Sequence, residues 1–109
     1  MGLFSSVSVL SKVEGSNGKV LTLSCTGSTG YTTGGETLNV AAHFAVVDNI
    51  VGSSFDGRYD ARFNRSATAG DPSNCRVPLF DADATDGGDQ VTSGANLSTV
   101  NFILTVFGR

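Results

Sequence analysis

A chain of 109 residues with a net charge of −3, 39% hydrophobic and 16% charged, is long enough for one domain with one core. These proportions favour neither a disordered chain nor a membrane protein, and no apolar run approaches the roughly 18 residues a spanning helix needs. The seven Lys and Arg residues are scattered, which argues against nucleic acid, whose phosphates call for a basic stripe.

Fourteen glycines against two prolines and no tryptophan suggest short strands joined by tight turns. Residues 1–6 lack the basic start and long apolar middle of a secretory signal. Gly2 followed by Ser6 fits the loose N-myristoylation pattern, but that pattern is short, and an ordinary N-terminal arm is the simpler reading. Leu3 and Phe4 make the arm apolar. Ser6 to Glu14 alternates loosely, with Val7, Val9 and Val13 sharing a side and Leu10 breaking in from the other. Gly15-Ser16-Asn17-Gly18 predicts a hairpin turn, because Asn-Gly supplies the positive φ such loops require. Lys19 to Thr26 returns as the second strand, with Leu21, Leu23 and Cys25 aligned.

Gly27 to Gly35 is loop chemistry, dense in glycine and hydroxyl residues. Thr37 is placed to cap one helical turn over Leu38 to His43, the one helix the sequence offers. Phe44 to Val51 predicts a buried strand ending at Gly52. Arg58 to Arg65 alternates, with Tyr59, Ala61 and Phe63 facing in. Cys75 to Phe80 predicts a further strand, placed at an edge or broken by a bulge because Pro78 removes a ladder donor. The last stretch runs Val100 to Phe107 without a breaker: Val100, Phe102, Leu104 and Val106 face one side, Asn101, Ile103, Thr105 and Phe107 the other. A strand wholly apolar on one face and half apolar on the other is central rather than edge. The expectation is therefore an all-β protein: a single antiparallel β-sandwich or small, jelly-roll-like barrel over residues 1–109, with at most one helical turn and residues 1–6 as an arm.

Few stretches could carry chemistry. Asp81, Asp83, Asp86 and Asp89 alternate in a glycine-bearing loop, as oxygen ligands for calcium do, yet the EF-hand glycine and terminal glutamate are missing and a solvated acidic loop is favoured. Cys25 and Cys75 read as two buried reduced thiols, with a disulfide as the alternative; two cysteines and one histidine lack zinc spacing. His43, the only histidine, would have to serve any nucleophilic site, and neither cysteine sits in a nucleophile turn. No catalytic residue and no cofactor is expected. Asn64-Arg65-Ser66 and Asn96-Leu97-Ser98 are glycosylation triplets that matter only in a secreted chain.

Two segments carry a family resemblance. Tyr31-Thr32-Thr33-Gly34-Gly35-Glu36-Thr37-Leu38 is similar to the Y-T-T-G-G-x-x-L stretch of small virion proteins of tailed bacteriophages. Gln90-Val91-Thr92-Ser93-Gly94-Ala95-Asn96-Leu97-Ser98-Thr99-Val100 resembles their E-V-x-S-G-T-D-L-S-x-V approach to a final strand, with Gln90, Ala95 and Asn96 in place of Glu, Thr and Asp. The resemblance implies a capsid decoration (cement) protein, made in the host cytoplasm and bound to the outside of the head. It implies the major capsid protein as partner and a trimer on a lattice three-fold, with Leu3 and Phe4 offering apolar contact and the acidic loop turned outward. The alternatives are another phage structural role (head fibre, tail or minor capsid component) or a calcium- or carbohydrate-binding β-domain.

Overall fold

The computed structural model describes residues 2–16, 18–82 and 89–109. Eight strands and one helical turn follow in the order β1 (Ser5–Gly15), β2 (Gly18–Thr26), β3 (Glu36–Leu38), β4 (Val47–Ser54), β5 (Tyr59–Ala61), α1 (Arg65–Thr68), β6 (Cys75–Val77), β7 (Leu79–Asp81) and β8 (Asn101–Gly108). Six form an open antiparallel sheet in the order β1-β2-β8-β4-β5-β7, while β3 and β6 pair as a small second layer. The fold is all-β and sandwich-like, and the sheet does not close into a barrel.

The terminal strand is central, as its two apolar faces predict: β8 lies between β2 and β4. Its registers put Leu21 beside Val106, Leu23 beside Leu104 and Cys25 beside Phe102, with Ile50 of β4 on the far side of Val106. All seven are buried and face the second layer, where Leu38, Cys75 and Val77 meet them with Leu79 and Leu97. Each fully buried Leu, Ile or Phe contributes about 1.5–3 kcal/mol, so this double row holds the layers together. Pro78 splits the predicted Cys75 to Phe80 strand into β6 and β7, one for each layer.

Three expectations are corrected. The helical turn is not at Leu38 to His43: Leu38 ends β3, and only an isolated turn follows, His43 and Phe44 both donating to the Val40 carbonyl. The helix is instead the four residues of α1, stopped by Ala69 in the left-handed region (φ 53°). The first strand does not keep Val7, Val9 and Val13 on one side. Register shifts between Ser5 and Ser8 and between Val9 and Ser11 flip the side-chain alternation, and all of β1 is exposed. Residues 2–4 are not a loose arm. Thr37 donates to the Gly2 carbonyl (2.9 Å), Phe4 donates to the Thr37 carbonyl (3.0 Å), and the Phe4 ring meets Phe102 edge-on at 5.6 Å.

Candidate functional site

The two edges of the large sheet are treated differently. Beyond β7 the returning chain forms a bridge from Gln90 to Phe80, with Asp81 donating to the Asp89 carbonyl and Val91 to the Leu79 carbonyl. Beyond β1 no backbone partner lies among the described residues. The bare edge is apolar: Val7, Val9, Leu10 and Val13 are all exposed, Val13 most at 61%.

No described element covers the sheet face turned away from β3 and β6. Registers lay out its rows: Val13, Val20, Phe107 and Asn49; then Ser11, Thr22, Thr105 and Val51; then Ser8, Ser24, Ile103 and Ser53. Val51, Ile103 and Phe107 are exposed on it. Ile103 and Phe107 explain the half-apolar second face of β8: they are spent on an open surface.

The segments that carry the resemblance lie against each other. Tyr31 donates to the Ala95 carbonyl (2.9 Å), Gly94 donates to the Tyr31 carbonyl (2.7 Å), and the Leu97 amide donates to the Ser28 carbonyl (2.7 Å). The buried Tyr31 hydroxyl accepts from the Leu79 amide (3.1 Å) and from Gln90 Nε2 (2.7 Å). Gly35 has φ +126°, and a Cβ there would sit 2.7 Å from the Val77 and Pro78 backbone, so only glycine fits. No family model, curated protein or solved structure matches the chain. The site is therefore read from geometry.

Of the expected contact residues, Leu3 is 53% exposed beside β3 and stays available, whereas Phe4 is 4% exposed and belongs to the core. Phe4 is corrected for that reason: its ring is consumed by Phe102. Gly2 is buried, and its amide donates to Thr32 Oγ1 (2.8 Å), so the glycine of the acylation pattern is built into the fold. Of the calcium candidates, Asp83 and Asp86 lie outside the described residues. Asp81 and Asp89 are joined through their backbones, and no cluster of three or more metal-ligating side chains occurs among the described residues.

Cys25 and Cys75 are free and buried. Burial pushes the Cys25 thiol up to about 12, with Glu36 adding to it, and the Cys75 thiol up to about 11, with Asp71 adding. Both stay protonated at neutral pH, without the thiolate a nucleophile requires. The His43 carbonyl accepts from Lys19 Nζ (2.9 Å), while its Nδ1 is buried and unpartnered.

Sequence reasoning missed Glu36, which stood as a variable position in the first segment. It is fully buried, its Oε1 accepts from Ser28 Oγ (2.7 Å), and its Oε2 has no hydrogen-bond partner among the described residues. Burial holds its pKa above the ordinary value, opposed by the hydrogen bonds from Ser28. The Gly2 backbone packs directly on it, since a Cβ there would lie 2.7 Å from Oε1. No helix among the described residues is long and apolar enough to cross a membrane.

Proposed function

We propose that the protein is a capsid decoration (cement) protein that binds the outside of a bacteriophage head and stabilises it. The observation that carries this reading is the uncovered face of the six-stranded sheet, where a central strand presents Ile103 and Phe107 next to Val51. Apolar side chains grouped on the open face of a small domain mark a contact surface. The resemblance of the Tyr31 to Leu38 and Gln90 to Val100 segments to phage virion proteins supplies the partner, the major capsid protein.

The role needs no chemistry, only a stable body and one adhesive face repeated many times. Three copies around a lattice three-fold turn one weak contact per chain into a strong multivalent one. Binding to the expanded shell and not to its precursor stabilises the expanded form by mass action. Leu3, exposed beside β3, gives a second contact.

Co-sedimentation with expanded heads tests this. Val51→Ser combined with Ile103→Ser alters only the open face, so the fold persists while occupancy of heads falls at least tenfold. Undiminished occupancy, or no binding by the unaltered protein, rejects the reading.

A further inference from the structure

The edge of β1 carries a second surface with a specific occupant, and the argument for it does not depend on the capsid reading. The chain covers the β7 edge with its own residues 89–91, and no described residue covers β1, although β1 is the longest strand. Bare edges template pairing, and their usual protections are bulges, charges or shortness. Here the two register shifts lie at Ser5/Ser8 and Val9/Ser11. From Ser11 to Gly15 the pairing with β2 is unbroken: Ser11 with Thr22, Lys12 with Leu21, Val13 with Val20, Glu14 with Lys19 and Gly15 with Gly18. This five-residue stretch is regular, and Val13 is its centre.

Alternation settles which backbone groups point outward. Gly15 and Gly18 flank a two-residue connection and form the narrow pair, which turns the amides and carbonyls of Ser11, Val13 and Gly15 toward β2. The groups of Lys12 and Glu14 then face the open edge.

We propose that two copies of this chain join through β1, antiparallel about a two-fold at Val13, forming one continuous twelve-stranded sheet. The register follows from three features that agree. Lys12 lies opposite the second copy's Glu14 and Glu14 opposite its Lys12, so the outward backbone groups meet as hydrogen-bonded pairs. These side chains are already 3.1 Å apart within one chain, and pairing adds an opposite charge beside each. Val13 meets its own copy in the wide pair, where side chains approach most closely. On the open face, Phe107, Val20 and Val13 of one chain then continue into Val13, Val20 and Phe107 of the other as one apolar row. A register centred on Leu10 would instead run the pairing through both bulges. An isologous contact of this kind is self-complementary and closes at two chains.

Light scattering over a dilution series of the full chain tests the proposal. The unaltered protein gives the mass of an even number of chains at high concentration. Lys12→Glu faces glutamates with glutamates at both ends of the pairing, halving the mass and weakening association at least tenfold. Glu14→Lys does the same with lysines. The double variant K12E/E14K restores opposite charges and with them the assembly. Far-ultraviolet circular dichroism confirms that each variant keeps the fold. A mass of one or three chains throughout overturns the proposal, as does a double variant no better associated than the single ones. An unaltered protein that pairs only when capsid protein is added also overturns it, since the edge would then take a foreign strand. Lys12→Glu chains that still decorate heads leave the capsid reading standing whichever way the mass falls.

Discussion

Replacing Glu36 with glutamine should make the protein less sensitive to pH. In the native state Glu36, at the start of β3, is sealed under the Gly2 backbone with one oxygen lacking a hydrogen bond among the described residues, and burial raises its pKa above the ordinary 4.5. A raised acid binds its proton more tightly folded than unfolded. Its contribution is therefore complete below pH 4.5 and is lost as pH rises through the native value. Glu14, Asp56 and Asp71 act in the opposite sense: Lys12, Ser54 and Ser73 hold them below the usual carboxylate range, so their contribution falls away in acid. The total pH profile mixes both, but the difference between wild type and Glu36→Gln isolates residue 36. Glutamine keeps an oxygen for Ser28 Oγ and carries no charge. Burying the charged carboxylate is what costs stability as pH rises, so the variant should gain on wild type between pH ~4.5 and neutrality. In a domain of this size each kcal/mol gained appears as about 4–8 °C in Tm, so the Tm difference between the two proteins should widen as pH rises. Thermal unfolding followed by circular dichroism at weakly acid and weakly alkaline pH measures it. Two Tm curves that run parallel across that range would refute the reasoning.

Two other substitutions follow from buried groups. Tyr31→Phe removes the oxygen that accepts from the Leu79 amide and from Gln90 Nε2 while keeping the ring, and should cost about 1–3 kcal/mol in urea unfolding; a loss below about 0.5 kcal/mol contradicts the assigned role. Cys25 and Cys75 should stay unmodified by a thiol-reactive chromogen in the native protein and react fully once urea unfolds it, whereas rapid native labelling would show that their burial is wrong.

The sequence makes the centre of the fold legible and its edges much less so. An unbroken alternation over Val100 to Phe107 announces a central strand, and Pro78 announces a break. Both cues are local, and both hold in three dimensions because nothing interrupts the period. The first strand fails the same test for a physical reason. Val7, Val9 and Val13 share a parity, but two register shifts, with Ser6 at φ 51°, change which face each one meets. Shifts of this kind leave no mark in composition. Helix α1 is equally silent, since four residues with no buried member have no period to detect. Glu36 is hidden by residue type: a carboxylate reads as surface, and only the approach of the Gly2 backbone and Ser28 shows that it is enclosed.

The segments behind the family resemblance have a structural use that decides where a shared role can reside. Tyr31 is bonded through its amide, carbonyl and hydroxyl to residues 90–95, and Gly35 is fixed by the backbone at Val77 and Pro78. Segments joined in this way depend on each other structurally: a change in one alters the packing of the other. What the lock achieves is to hold the approach to β8, through Leu97 and Val100, in the position that turns Phe102, Leu104 and Val106 inward. Ile103 and Phe107 are then turned outward by the same alternation, so the open apolar face is a consequence of the core register. If the proposed capsid role holds, a change at Tyr31 that loosened the lock would weaken head binding without altering any residue of the open face itself.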